Sequence, residues 1–144
     1  MITEAAKWAG SQSVVVSLDV KKNIWGKYRV YGQNGNQRTD FDPVTFAKEM
    51  ENAGAGEIIL NAIDRDGTFL GYDLDLIKYL SSNVKIPVVA SGGAANLNDF
   101  KLAIQSGASA VSAGSMFVFQ GPHRAVLISY PSEKELKERL FLSL

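Results

Sequence analysis

Four times along this chain a short run of small and β-branched apolar residues ends in aspartate, serine or glycine, and a helix-coded stretch follows. The runs are SVVVSLDV (13–20), EIILNAI (57–63), IPVVAS (86–91) and SAVSAGS (109–115). Continuous apolar runs of this kind suit strands buried on both faces, as in parallel sheets. Their starts lie about 25 to 45 residues apart, which leaves room for the crossover helix that parallel strands need. The pattern predicts an α/β domain with a parallel sheet. Two architectures fit it: an open doubly wound sheet, or part of a (β/α)8 barrel. A full barrel takes about 250 residues, and the 144 here are little more than half of that.

The connections carry their own signals. Thr3 is read as the cap of a short helix over Glu4 to Ala9, stopped by Gly10. The first strand is read as ending at Asp19. KYRVYGQNGNQRTDF alternates apolar and polar residues around Asn34-Gly35, which predicts a hairpin with a two-residue turn on the surface. Asp42-Pro43 starts a helix through about Asn52, and Gly54 and Gly56 end it. A further helix is predicted from about Asp73 to Ser82. Asn96 caps another through about Gln105, with Gly107 beyond its end. SMFVFQG turns away from the fourth strand. In the tail, Ser132 and Glu135 have the spacing of a capping box and open a final amphipathic helix.

Composition removes several classes of function. Lys plus Arg and Asp plus Glu both number 15, and zero net charge argues against a nucleic-acid arm or a membrane-surface patch. With no cysteine there is no disulfide framework and no thiolate chemistry, which fits a cytoplasmic setting. No apolar run approaches the roughly 20 residues of a membrane span. MITEAAKWAG lacks a basic end followed by an apolar stretch and is read as no signal peptide. The chain is read as one domain, residues 1–144.

Every predicted strand delivers its polar or glycine-rich residues at its C-terminal end. These are Asp19; then Asp64, Arg65, Asp66 and Gly67; then Ser91, Gly92 and Gly93; then Ala113, Gly114 and Ser115. Ligands of α/β folds bind at that end. The glycines let backbone amides approach a ligand closely, and the helix after them adds a partial positive charge. One such loop reads equally well as a tight βα turn. Two on consecutive strands point to a phosphate site, and a β-branched residue at position 93 is expected to fill it. Asp19 either caps a turn or pairs with Lys21 or Lys22, or is a general acid/base. Asp64, Arg65 and Asp66 are either a surface ion-pair cluster or a ligand-facing loop. Glu57 opens the second strand at the opposite rim. His123 has no second His or Cys to complete a metal site and is read as a surface residue. The stretches GAGE and SGGAA do not form the GxGxxG dinucleotide fingerprint.

Together, GSQSVVVSLDVK, GAGEIILNAIDRDGT, GYDLDLI, IPVVASGGA and GASAVSAGSMF closely resemble the C-terminal half of the cyclase subunit of imidazole glycerol phosphate synthase. The resemblance covers roughly residues 10 to 119. It implies a (β/α)8 barrel of histidine biosynthesis, a lyase that uses no metal or organic cofactor. In that family ammonia from a glutamine amidotransferase subunit is joined to a phosphoribulosyl-formimino carboxamide ribonucleotide. The products are imidazole glycerol phosphate and an aminoimidazole carboxamide ribonucleotide. By motif, Asp19 corresponds to one of two catalytic aspartates. Asp66 and Gly67 line the substrate pocket. Ser91, Gly92, Gly93, Ala113, Gly114 and Ser115 correspond to the site of one substrate phosphate. Glu57 corresponds to a charged ring where ammonia enters.

The second catalytic aspartate and the second phosphate site belong to the family's N-terminal half, which has no counterpart here. The expectation is therefore a (β/α)4 half-barrel with two open edges and an uncovered interior face, closed by a homodimer or a higher even oligomer. The tail QGPHRAVLISYPSEKELKERLFL departs from the family's ending and resembles a paralogous branch associated with amidation of cell-surface sugars. Three functions follow from the resemblance: a cyclase, that paralogue, and a catalytically silent phosphate-binding half-barrel.

Overall fold

The computed structural model describes residues 1–121 and 123–143. Helix α1 (Ile2–Ala9) and a 3-10 turn (Ser11–Ser13) lead into β1 (Val15–Lys22). The strands β2 (Tyr28–Gly32) and β3 (Gln37–Arg38) follow, then α2 (Pro43–Asn52), β4 (Glu57–Ala62) and α3 (Leu74–Ser81). Next come β5 (Val88–Ser91), α4 (Leu97–Gln105), β6 (Ala110–Val111) and the single turn α5 (Ser115–Val118). The chain closes with β7 (Phe119–Gln120), β8 (Ala125–Val126) and α6 (Glu133–Arg139). Strands β1, β4, β5 and β6 pair in parallel in that order. This is the strand–helix succession that the four apolar runs predict.

Side chains alternate across the sheet, and only one face is covered. Leu18 and Val20, Ile58 and Leu60, and Val88 and Ala90 point to the helices and are buried. They pack against Val44 and Ala47 of α2, Leu76, Ile77 and Leu80 of α3, and Leu97, Phe100 and Ala103 of α4. The opposite face carries Val15, Ser17 and Asp19, Glu57, Ile59 and Asn61, and Val89 and Ser91. All of these are half-buried or exposed. Four parallel strands covered on one side by helices have the arrangement of a (β/α)4 half-barrel, with the other face open.

The caps follow local chemistry. Asp42 accepts from the amides of Val44 and Thr45, both at 3.0 Å, with Pro43 next to it. Asn96 and Asp99 form a capping box on α4, and Ser132 and Glu135 form one on α6. Thr3 does not cap: α1 already begins at Ile2, so Thr3 lies inside it.

Three further expectations are corrected. The first strand does not end at Asp19 but runs on to Lys22, because β2 pairs antiparallel with Asp19 through Lys22. The hairpin turn spans four residues, Gln33 to Asn36, and not two: Gln33, Asn34 and Gly35 all take positive φ. The hairpin is also no mere surface excursion, since β2 and β3 extend the sheet. As a result the half-barrel does not have two free parallel edges. β2 blocks the C-terminal half of the β1 edge, and only Val15 to Leu18 and the far side of β6 remain.

Two substitutions separate cap from core. Asp42→Ala removes both cap hydrogen bonds and the acceptor of the Tyr79 hydroxyl, and should cost about 1 kcal/mol. Leu80 is 0% exposed, and Leu80→Ala should cost about 3 kcal/mol. Chemical denaturation at equilibrium checks the order: equal losses would contradict the packing described.

Candidate functional site

The ladder register decides which side chains meet at the rim. Asp19 is opposite Asn61, and Asn61 is opposite Ser91. All three therefore stand on the open face. Neighbouring strands are about 4.8 Å apart, which puts Asp19 and Ser91 about 10 Å from each other. Asn61 Nδ2 donates to Asp19 Oδ1 at 3.0 Å. Asp19 thus pairs with neither Lys21 nor Lys22. The Oδ1 atom of Asn61 is buried and accepts nothing among the described residues. Asn61 is not among the site residues expected from the sequence, although an amide inside an apolar strand is a visible signal.

The other rim residues come together. Asp66, Gly67, Ser91, Gly92, Gly93, Ala113, Gly114 and Ser115 line one small cavity, completed by Ala94 and Ser112. Asp19 is not in its wall. The backbone amides of Gly92, Gly93, Gly114 and Ser115 donate to no acceptor among the described residues. Convergent unpaired amides around a concavity are the physical basis of anion binding.

The glycines are there for different reasons. Gly92 has φ +92°, and a Cβ there would come 2.7 Å from the Ala62 carbonyl and 3.2 Å from Asn61 Oδ1. Gly93 has φ +101°, and its Cβ would run into the Gly71 carbonyl and lie 3.0 Å from Arg65 Cβ. A β-branched residue at 93 would therefore push the Gly71 segment away and not fill the anion site, contrary to the expectation above. Gly114 has φ −111° and nothing within 4 Å of a Cβ. Neither backbone nor packing demands glycine at 114, and the space beside it is open.

The helix dipole contributes less than expected. Helix α4 begins at Leu97, and its first turn is closed on itself. Asn96 Oδ1 accepts from the amides of Asn98 and Asp99, while Asp99 Oδ2 accepts from those of Ala95 and Asn96. That carboxylate offsets the positive end of the dipole. What remains unpaired at this rim is the set of loop amides.

The DRDG segment is not an ion-pair cluster. Arg65 turns away and donates to the carbonyls of Leu70 and Gly71 at 3.3 and 3.2 Å. Asp64 accepts the Lys22 amide at 3.4 Å. Asp66 is exposed at the cavity mouth. A carboxylate there repels a phosphate but accepts from a hydroxyl.

Asp73, marked by the sequence only as a helix start, ties the rim together. Asp73 is 5% exposed. It caps α3 through the Leu76 amide at 3.1 Å and accepts the Tyr28 hydroxyl at 2.9 Å. Lys22 Nζ stands 3.7 Å from it and Arg65 Nε 4.0 Å. It thus joins β1, β2 and the loop after β4. Burial first, then the hydrogen bond to Asp73, push the Tyr28 phenol well above its usual range. Tyr72 ties down the second glycine loop by donating to the Ser112 carbonyl at 2.8 Å. Burial, and then the charge of Asp99, likewise hold this phenol protonated.

Glu57 opens β4 at the other end of the open face, four residues before Asn61 and about 13 Å from it. His123 is exposed. Among the described residues no group of three or more His, Cys, Asp or Glu side chains is placed to hold a metal ion. No helix is long and apolar enough to cross a membrane.

Residues 1–123 match the family described as histidine biosynthesis protein. The chain is 47% identical over 137 residues to a Pseudomonas aeruginosa protein carried under the provisional name imidazole glycerol phosphate synthase subunit hisF2. That alignment takes in 94% of this chain and 55% of that protein. It is 44% identical over 144 residues to a Vibrio vulnificus protein with the provisional name imidazole glycerol phosphate synthase subunit hisF3, covering 99% of this chain and 55% of that one. The imidazole glycerol phosphate synthase subunit HisF of Pyrobaculum aerophilum is 45% identical over 141 residues, 97% of this chain and 55% of that one. The chain spans about half the length of these curated relatives. With most of its length matched, and with the half-barrel and glycine loops in place, the chain belongs to the histidine biosynthesis protein family.

Proposed function

We propose that the chain forms one half of the catalytic site of a cyclase of the imidazole glycerol phosphate synthase type. The observation that carries this reading is the cavity lined by Asp66, Gly67 and two glycine loops, with four unpaired amides and a Gly114 that has no structural need to be glycine. In this reading the amides of Gly92, Gly93, Gly114 and Ser115 hold one phosphate of a phosphorylated ribonucleotide. Asp66 accepts from a substrate hydroxyl. Asp19, steadied by Asn61, is the acid/base group and acts about 10 Å away across the rim. Ammonia from a glutamine amidotransferase partner enters at the Glu57 end and crosses the open face to Asp19. The chemistry proceeds in the cytoplasm without a metal or organic cofactor, and the second aspartate and second phosphate site come from the remainder of a barrel.

A second reading rests on the tail, residues 120–142, which resembles a paralogous branch associated with amidation of cell-surface sugars. The alignments do not separate the two readings, since the Pyrobaculum HisF also aligns over 141 residues. The paralogue that serves sugar amidation would use the same cradle and ammonia path on the same class of substrate.

The test separates binding from chemistry. Gly114→Val should keep the fold, since nothing stands near its Cβ, and weaken inorganic phosphate in calorimetry at least about tenfold. Asp19→Asn should leave phosphate affinity unchanged and lower ammonia-dependent turnover of the ribonucleotide by about a hundred- to ten-thousand-fold. Unaltered phosphate binding in Gly114→Val contradicts the cradle. Phosphate affinity and turnover lost together in Asp19→Asn contradict the acid/base role.

The open sheet face bears on assembly. Val15, Ile59 and Val89 line a surface that a barrel interior would bury, and a second copy related by a two-fold axis is proposed to cover it. Light scattering of the chain alone should give a dimer or a higher even oligomer. A stable monomer at micromolar concentration is the contrary result.

A further inference from the structure

On the outer side of the phosphate loops lies a larger cleft, enclosing about 610 Å³. The loop residues alternate between the two spaces. Gly67, Ala94 and Ser115 face the small cavity, and their successors Thr68, Ala95 and Met116 face the cleft. The far wall is built from Arg124, Tyr130, Glu135 and Arg139, which lie beyond the stretch that matches the family.

Two details mark the cleft as more than a gap. Phe69 is held at φ +61°, a conformation that bulky side chains rarely adopt. The strain places its ring in the cleft, and the Arg124 guanidinium lies over that ring, 5.1 Å from its centre. Among the described residues Arg124 makes no hydrogen bond or ion pair with its side chain. A guanidinium held over a ring and without other partners has N–H groups left for two-point binding of an oxyanion. Elsewhere the wall is aromatic: the rings of Phe117 and Tyr130 stand 4.8 Å apart. Of the charges in the wall, the one carboxylate, Glu135, already accepts from the Ser132 amide and hydroxyl at 2.9 and 2.8 Å.

We propose that this cleft is a second binding site, for a small organic anion that carries a phosphate or carboxylate on a planar ring. Arg124 grips the oxyanion and the aromatic wall takes the ring. Because three loops are shared, occupancy of the cleft is felt at the inner cradle.

Amide-resolved NMR on the full chain tests this with two probes, inorganic phosphate and phenyl phosphate. Inorganic phosphate should move the amides of Gly92, Gly93, Gly114 and Ser115. Phenyl phosphate should in addition move Thr68, Phe69 and Arg124. Arg124→Gln should weaken this second response at least about tenfold. Phe69→Gly, which suits the positive φ and so keeps the loop, should do the same. The site is overturned if phenyl phosphate leaves Thr68, Phe69 and Arg124 unmoved, or if their response survives intact in Arg124→Gln, which would mean it is relayed from the cradle. A silent cradle with a responsive cleft would instead sink the inner site and leave this one standing.

Discussion

The parallel register that sets Asp19 beside Asn61 and Asn61 beside Ser91 is the constraint on which the site depends. A slip of one residue in any of these strands would send its polar end to the helix side and its core residues to the open face. Leu18, Leu60 and Ala90, buried against three helices, oppose such a slip. The same apolar packing that holds the sheet therefore aims its chemistry. Asp73 adds a second restraint by tying β1, β2 and the loop after β4 through Lys22, Tyr28 and Arg65. Of this group only Asp73 is buried; Lys22 and Arg65 are partly exposed, so the hydrogen bonds to Tyr28 and to the Leu76 amide are its closer contacts.

How much of this was legible in the sequence depends on how local the cause is. The caps at Asp42, Asn96 and Ser132 were readable because cap and capped amides lie within three residues. The strand–helix order was readable from apolar runs, and the rim from the residues at their ends. What failed needed partners far along the chain. The extension of β1 past Asp19 follows from pairing with β2, and Arg65 turns to Asp73 and away from its neighbours. The demand for glycine at 93 comes from the Gly71 carbonyl, 22 positions earlier. Pattern reading treated the glycines of the two loops alike. The structure divides them into two that the fold requires and one, Gly114, that it does not.

Glycines that relieve steric conflict say nothing about a ligand, and Gly92 and Gly93 would be present in an inert turn. Gly114 has no such reason, and it lies beside amides that donate to nothing among the described residues. With the dipole of α4 offset by Asp99, an anion in the proposed cradle would rest on the loop amides and on the serines that line the cavity. Such a site reads shape and negative charge without a basic side chain. It therefore releases its ligand readily unless a second contact, such as Asp66 to a hydroxyl, adds to it.

A crystal structure of the chain grown with inorganic phosphate puts the central claim to its most direct test. The account predicts one phosphate with oxygens within about 3.2 Å of the amide nitrogens of Gly92, Gly93, Gly114 and Ser115. A phosphate held elsewhere, by lysine or arginine side chains, with this cavity filled by its own backbone or by water alone, would contradict it.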